Sequence, residues 1–192
     1  MSTSGIDEWL RTRTVMTLGP SGTDAYAEAS RIGATVSLCP SFSLAMQEAE
    51  ETDNLALVAA GFLDLDGDRL VDSWVNLHFR TRRTMRVVGV WESPTKPMCV
   101  AVRADLDRDV SEVRTVVAHP STLQLVRETL PVEAEVRTVN AKPKAARAVA
   151  DGEADACIAS LDVVQGMSEL RPLSVLTPTM VWCLYAPLGA QV

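Results

Sequence analysis

The stretch VRTVVAHPSTLQLVRETL, residues 113–130, indicates the fold class. Its first part, Val113–Ala118, is a short β-prone run that ends in a His-Pro-Ser turn. Thr122–Leu130 follows with apolar residues at helical spacing, and Glu133–Val139 is a second strand-like run. A strand, a helix and a second strand in succession are typical of an α/β protein with parallel strands.

The same alternation runs through the rest of the chain. Further strands are predicted at Arg13–Leu18, Ala34–Leu38, Leu55–Ala60, Met85–Val90, Met98–Arg103, Ala154–Ala159, Leu173–Thr177 and Met180–Tyr185. Further helices are predicted at Thr23–Ile32, after Ser41, at Lys142–Ala150 and at Leu161–Gly166. The pattern predicts a single domain with two lobes that face each other across a cleft, one of about 13–104 plus 180–186 and one of about 112–178.

Composition and charge restrict the function. The chain has 192 residues, 47% of them hydrophobic, which is typical of a globular protein. Its net charge of −7 disfavours binding to the phosphate backbone of a nucleic acid. No apolar run approaches the roughly 18 residues that cross a bilayer, and Met1–Arg13 lacks the apolar core of a signal peptide. We therefore expect a cytoplasmic protein that contacts neither nucleic acid nor membrane.

Cysteine and histidine spacing argues against a metal site. The four cysteines (Cys39, Cys99, Cys157 and Cys183) are widely separated, and three lie in apolar strand-like runs that predict buried thiols. The chain has only two histidines, so no multi-histidine site is possible. The acidic run 64–68 lacks the glutamate that closes a calcium loop and is predicted to be a solvated turn. We expect no metal and no cofactor.

Three predicted strand ends carry small or hydroxyl residues. They are Gly19–Thr23, His119–Thr122 and Ala159-Ser160. In open α/β sheets, ligands bind beyond the carboxyl ends of strands, where helix N-termini present free N–H groups. These ends therefore either hold a carboxylate or hydroxyl of a small ligand, or contain plain helix caps.

Three residues, His78, His119 and Asn140, have two interpretations each. His78, followed by Phe79 and Arg80, either brings a proton donor and a cation to an anionic ligand or lies on an amphipathic surface strand. His119 is either a proton shuttle or a structural residue of its turn, and we favour the structural role. Asn140 follows a strand and hydrogen-bonds either a ligand or its own loop.

Several of these segments resemble prephenate dehydratase domains. Thr17–Thr23 (TLGPSGT) resembles their opening LGPxGT signature, and Ala118–Ser121 resembles their SHPQ-type turn. Val139-Asn140 with Ala145–Ala150 resembles the helix after their fourth strand, and Ala156–Ser160 resembles their AAIAS strand. The order and spacing hold over nearly the whole chain. The resemblance implies a type II periplasmic-binding-protein-like fold.

Two segments depart from the dehydratase pattern. Met180-Val181-Trp182 stands where dehydratases carry Thr-Arg-Phe, whose Thr is associated with loss of the ring hydroxyl. Val58–Phe62 replaces their Pro-Ile-Glu-Asn-Ser segment, and with the sequence ending at Val192 no ACT domain is expected. With these dehydratase motifs replaced, the sequence resembles the non-aromatising prephenate decarboxylases of bacilysin- and anticapsin-type antibiotic pathways. Thr179–Trp182 is similar to the Pro-Met-Ser-Trp ending of that subgroup, although Ala59-Ala60 replaces its Pro-His.

The resemblance implies a carbon–carbon lyase of secondary metabolism that removes carbon dioxide from prephenate and keeps the ring hydroxyl. It implies catalytic roles for His78, Ser21 and Thr23. The implied substrate-binding residues are Gly19, Pro20, Gly22, Arg80, His119, Pro120, Ser121, Thr122, Asn140, Ala159, Ser160, Met180 and Trp182. The expected partner is prephenate or a similar cyclic dicarboxylate, and a homodimer is an open alternative to a monomer.

Two other functions fit the same sequence. One is an enzyme that acts on a different cyclic carboxylate, such as a tropone precursor. The other is a binding module that holds an aromatic precursor without catalysis, because two lobes around a cleft also describe solute-binding and effector domains.

Overall fold

The computed structural model describes residues 12–32, 35–67, 69–107, 109–139 and 142–189. The strands in this part of the chain are β1 (Thr14–Leu18), β2 (Thr35–Cys39), β3 (Leu55–Ala59), β4 (Leu63–Asp66), β5 (Arg69–Ser73), β6 (Met85–Pro94), β7 (Met98–Arg103), β8 (Thr115–Ala118), β9 (Glu135–Thr138), β10 (Ala156–Ser160), β11 (Leu170–Leu176) and β12 (Thr179–Pro187). The helices are α1 (Asp24–Arg31), α2 (Phe42–Glu51), α3 (Trp74–Thr81), α4 (Leu123–Thr129), α5 (Lys142–Ala150) and α6 (Leu161–Gln165), with 3₁₀ turns at Val110–Glu112 and Pro120–Thr122.

The first compact unit consists of the residues up to Phe62, Asp72–Ser93 and the residues from Thr179 onward. Its five-stranded sheet has the order β2-β1-β3-β12-β6. β1 is parallel to β2 and β3, and β12 runs antiparallel to β3 with Trp182 opposite Ala59. All five residues of β3 are buried, as expected for a central strand covered on both faces.

The second compact unit consists of Leu63–Val71 and Pro94–Pro178. Its five-stranded sheet has the order β11-β7-β10-β8-β9. β8 is parallel to β9 and β10, whereas β7 is antiparallel to its neighbours β10 and β11. Two apolar clusters cover the sheet, one built with α5 and one built around Val126 of α4. The α/β class predicted from the alternation of strands and helices is thus confirmed.

Three local features differ from the sequence-based expectations. β7 belongs to the second unit although the sequence analysis placed residues 98–103 in the first lobe, because β7 hydrogen-bonds β10 and β11. His78 lies on helix α3 and not on a surface strand, since Ser73 caps that helix by accepting from the Asn76 N–H. Residues 64–66 of the acidic run lie in strand β4, and Gly67 follows in a turn, whereas Asp68 lies outside the described residues.

The cysteine side chains lie within the apolar cores. All four are free and buried, which confirms the prediction of buried thiols. Burial raises the pKa of the Cys99 thiol to about 11 and that of the Cys157 thiol to about 12. Of the helices in the described ranges, none has the length and apolar character required to cross a membrane.

Candidate functional site

In the first unit, two segments with predicted site residues meet the end of β3 at one edge of the sheet. β1 and β3 are parallel neighbours, so their carboxyl ends lie at the same edge, and the antiparallel β12 begins there. This edge therefore carries Gly19–Thr23 after β1, Ala60–Phe62 after β3, and Met180–Trp182 at the start of β12. We call it the first edge.

The Gly19–Thr23 loop at the first edge is built by local constraints. Gly19 donates its N–H to the Cys39 carbonyl (2.9 Å), and a Cβ at Gly19 would lie 3.1 Å from the Cβ of Leu38. Gly22 has φ +92°, a conformation that favours glycine. Thr23 caps α1 by accepting from the Tyr26 N–H (3.2 Å). Of the predicted residues in this loop, Pro20, Ser21 and Gly22 are exposed.

Apolar side chains form the rest of the first edge. The sulfur of Met180 lies 3.3 Å from the position that a Cβ on Gly61 would take. The Ala60 N–H donates to the Val181 carbonyl (2.9 Å), which joins the end of β3 to the start of β12. Trp182 is 2% exposed, and its indole N–H has no hydrogen-bond partner among the described residues. This part of the edge contains no titratable side chain.

His78 belongs to an aromatic cluster between α3 and β12. Its ring stacks on Trp74 with centroids 5.5 Å apart, and its Nδ1 lies 3.1 Å from the Tyr185 hydroxyl oxygen. Burial and the neighbouring Cys183 raise the pKa of Tyr185 to about 12, so its hydroxyl stays protonated. Tyr185 follows Trp182 by three residues along β12, about 10 Å at roughly 3.3 Å per residue. The described contacts thus do not bring His78 together with Ser21 or Thr23.

A buried carboxylate, that of Asp72, holds the Arg80 side chain of α3. Its guanidinium lies 2.6 Å from an Asp72 carboxylate oxygen, which also accepts from the Ser43 hydroxyl (2.6 Å). Burial raises the pKa of Asp72, but hydrogen bonds from Arg80, Ser43 and the Ser73 N–H outweigh burial, and the pKa is lowered overall. Together with Ser43, Leu44, Gln47, Glu50, Leu77, Thr81 and Thr84, Arg80 lines a groove of about 390 Å³. The structure thus assigns Arg80 a structural ion pair.

In the second unit, the carboxyl ends of β8 and β10 meet at another edge, which we call the second edge. These two strands are parallel neighbours. β8 leads into the 3₁₀ turn that contains the predicted residues 119–122, and β10 ends at the predicted pair Ala159-Ser160. The His-Pro-Ser turn and Ser160 therefore lie at the same edge of this sheet.

His119 acts as the cap of its turn. Its Nδ1 accepts from the Ser121 N–H (3.2 Å) and lies 2.8 Å from the Ser121 hydroxyl. Burial and the charge of Lys142 lower the pKa of His119, so the neutral ring that accepts a hydrogen bond is favoured at pH 7. Thr122 is 2% exposed and donates its hydroxyl to the His119 carbonyl (2.8 Å). Both side chains make the hydrogen bonds of structural residues, and Ser121 is exposed beside them.

Ser160 differs from the other predicted caps. It occupies the N-cap position of α6, but its hydroxyl makes no capping hydrogen bond. The next residue, Leu161, donates its N–H to the Pro97 carbonyl, which places the segment before β7 beside Ser160. Lys96 lies on this segment, and its ammonium group is 2.8 Å from the Asp162 carboxylate. The second edge thus combines an uncommitted hydroxyl with a cation.

Sequence reasoning missed the two lysines of the second edge. Lys142 is the first residue of α5 and is close enough to His119 to lower the pKa of that side chain. Lys96 stands between two prolines, in a segment that carries no recognisable motif. A lysine at the start of a helix after a strand end is a weak indication of an anion site. The predicted residue Asn140 lies outside the described residues.

A buried carboxylate in the first unit was also missed. Glu28 on α1 is 6% exposed and accepts hydrogen bonds from the Trp91 indole, the Ser93 hydroxyl (2.9 Å) and the Arg31 guanidinium. Burial raises the pKa of Glu28, but the bonds from Arg31, Trp91 and Ser93 outweigh burial and lower it overall. The network ties α1 to β6. Within the described ranges, no group of three or more histidine, cysteine, aspartate or glutamate side chains is placed to hold a metal ion.

Comparison with known proteins gives a fold and no sequence family. Neither a protein-family model nor a curated protein sequence matches the chain. A prephenate dehydratase from Arthrobacter aurescens, solved in complex with L-Phe, is similar with a TM-score of 0.58 and 18% identity over 93% of this chain and 61% of that protein. The prephenate dehydratase from Staphylococcus aureus is similar with a TM-score of 0.53 and 11% identity over 90% of this chain and 66% of that protein.

A periplasmic domain is similar to nearly the same degree. The periplasmic VFT2 domain of Bordetella pertussis BvgS has a TM-score of 0.54 and 16% identity over 99% of this chain and 88% of that domain. This chain spans less than two thirds of the length of either dehydratase. The chain therefore has the two-lobed α/β fold of type II periplasmic binding proteins, the fold that prephenate dehydratases share.

Proposed function

We propose that the protein binds prephenate or a similar cyclic dicarboxylate and removes carbon dioxide from it without making the ring aromatic. The observation that carries this proposal is the apolar character of the first edge. Residues 180–182 stand where the dehydratases that the sequence resembles carry Thr-Arg-Phe. In this protein Met180 lies against Gly61 and Trp182 is buried, so that part of the edge offers a thioether and no acid.

The missing acid decides the outcome of the reaction. When the carbon–carbon bond to the departing carboxylate breaks, its electron pair enters the ring diene. If a general acid protonates the ring hydroxyl, water leaves and the ring becomes aromatic. Without an acid at that position, a ring carbon takes up a proton instead and the hydroxyl is retained. Positioning the ring against an apolar surface thus selects the second outcome.

The second unit carries its own candidate carboxylate site at the second edge. Lys142 and Lys96 are cations at this edge, and Ser160 offers a hydroxyl that makes no capping bond. A carboxylate is recognised by such a combination of ammonium and hydroxyl donors, because hydrogen bonds to a charged acceptor are the strong ones. The chain as a whole is acidic, so cations at this edge attract the ligand locally.

His78 is our candidate for the proton source. The Tyr185 hydroxyl stays protonated and can donate to Nδ1 of His78, so the single proton of the neutral ring lies on Nε2. When Nε2 gives this proton to the ring carbon, Nδ1 takes up the proton of the Tyr185 hydroxyl, and solvent then restores it. An imidazole fixed in this way presents one N–H in a defined direction. Ser21 and Thr23 remain the other predicted catalytic residues, and of the two only Ser21 is exposed.

A binding module is the second candidate function. It is supported by the fold, because a periplasmic sulfonate-binding protein has the same fold as this chain. The missing Thr-Arg-Phe residues fit this function as well, because a protein that only binds needs no acid.

Incubation of the purified protein with prephenate at neutral pH tests the proposal, with mass spectrometry of the product and a sample without protein as control. We expect a product lighter than prephenate by carbon dioxide alone. Phenylpyruvate, which is also lighter by water, would overturn the non-aromatising reaction if the protein formed it as the main product. Binding measured by calorimetry without any turnover would overturn the enzyme and support the binding module.

A further inference from the structure

The strand β6 is a long and apolar edge of the first sheet. Within the described part of the chain it pairs with β12 and with no other strand of that sheet. Its sequence is MRVVGVWESP, and Val87 and Val90 are 36% and 60% exposed. An edge strand presents unpaired backbone N–H and C=O groups, to which another strand can add.

The outer strands at the other three edges of the two five-stranded sheets carry features that oppose such pairing. β2 has five residues, and β9 has four exposed residues that include Glu135 and Arg137. β11 contains Pro172 and a register shift beside it. Short length, charge, proline and bulges are the devices by which proteins protect sheet edges. β6 has ten residues and no proline before its last position.

We propose that β6 is a homodimer interface, at which the β6 strands of two copies pair antiparallel around a twofold axis at Gly89. The strand carries two charges, Arg86 and Glu92, and they are equally far from Gly89 in sequence. Pairing centred on Gly89 therefore places Arg86 of each copy opposite Glu92 of the other, so the ion pair forms twice. No other antiparallel register brings these two charges opposite each other.

The rest of the strand fits the same register. Val88 lies opposite Val90, and Val87 lies opposite Trp91, so apolar side chains meet on both faces. Every opposed pair has its side chains on the same face, because the two positions differ by an even number of residues. The ring of Trp91 covers Gly89 within its own copy, at 3.2 Å from the position of a glycine Cβ. A twofold axis makes the contact self-complementary, as in most protein dimers.

Charge substitutions with a mixing step test this interface. Sedimentation velocity should give the mass of a dimer for the wild type and of a monomer for Arg86→Glu and for Glu92→Arg, because each variant opposes like charges twice. An equimolar mixture of the two variants should form a heterodimer, and the double variant Arg86→Glu/Glu92→Arg should dimerise again. Glu135→Arg, on the exposed edge strand β9, is the matched control and should leave the dimer intact.

Circular dichroism establishes that each variant is folded. If either charge variant does not fold, Val90→Lys at an exposed position of β6 replaces it and should also give a monomer. A monomeric wild type at all concentrations would overturn the proposal, and so would an unchanged dimer in Arg86→Glu or no heterodimer in the mixture. The measurement uses no ligand, so it is independent of the proposed function.

Discussion

Replacement of Glu28 by glutamine and by alanine separates the contributions that its charge and its hydrogen bonds make to the stability of the protein. The carboxylate is almost fully buried and accepts from the Trp91 indole and the Ser93 hydroxyl. Glu28→Ala leaves both donors without their partner, and each orphaned buried group costs about 1–3 kcal/mol. We therefore expect a loss of about 3–5 kcal/mol, the range typical of removing one partner from a buried charged network.

Glu28→Gln has a smaller expected cost. The amide oxygen can still accept from Trp91, and the amide NH₂ can donate to the Ser93 hydroxyl, which rotates to accept. Only the charge is lost, so the cost should be about 1–2 kcal/mol. Arg31 contributes little to either value, because its side chain is 58% exposed and water replaces the carboxylate.

The pH dependence gives the sharper test. The folded-state pKa of Glu28 lies below its ordinary value of 4.5, so the unfolded chain binds more protons at mildly acidic pH. The stability that the carboxylate contributes is fully present above that value and is lost as the pH falls toward the folded-state pKa. Wild type and Glu28→Gln should therefore differ by a constant amount at neutral pH and begin to converge in stability as the pH falls through about 4.5.

Urea unfolding followed by circular dichroism at pH 7 and at pH 4 measures both effects. Glu50→Gln, an exposed glutamate on α2, is the matched control and should change stability by less than about 0.5 kcal/mol. A difference between wild type and Glu28→Gln that is equal at the two pH values would refute the argument, since it would show that the charge of Glu28 does not contribute.

Three further predictions concern the second unit. Ser160→Ala should weaken binding of a carboxylate ligand, measured by calorimetry, without lowering the melting temperature; a lower melting temperature with unchanged affinity would show a plain cap. Because burial and Lys142 lower the pKa of His119, wild-type stability should fall relative to His119→Asn as the pH drops through the ordinary histidine value of about 6.5, and parallel curves would contradict this. Because burial raises the pKa values of Cys99 and Cys157, neither thiol should react with a disulfide reagent before unfolding, and labelling of either one in the folded protein would contradict their burial.

Local pattern was sufficient to predict most strands and helices. The helix Lys142–Ala150 has the bounds expected from its small apolar residues and the Asp-Gly that follows. The uninterrupted apolar run of β3 indicated a central strand, and every residue of it is buried. Such segments are predictable because burial on one or both faces requires a fixed spacing of apolar residues.

Long-range pairing could not be predicted in the same way. Nothing within Met98–Arg103 records that it pairs with β10 and β11, which follow more than fifty residues later. The aromatic and arginine-rich stretch around His78 has no clear period. It is helical because Ser73 caps it and because Leu77 is buried. The candidate site could not be predicted fully for the same reason. Lys96 lies at the second edge because the next residue, Pro97, accepts a backbone hydrogen bond from Leu161, which is distant in sequence.

The hydrogen bonds of the Gly19–Thr23 loop favour one of its two predicted catalytic hydroxyls. Thr23 accepts from the Tyr26 N–H and donates to the Leu18 carbonyl (3.1 Å), so its hydroxyl serves the start of α1. Ser21 is exposed in the same loop. The loop is held in place at Gly19 by the Cys39 carbonyl, and α1 is held one turn further on by the Glu28 network. For the ligand of the proposed function, the backbone of this loop is already held in place, so little backbone entropy is lost on binding, and the exposed Ser21 hydroxyl is the one of the two that can reach the ligand.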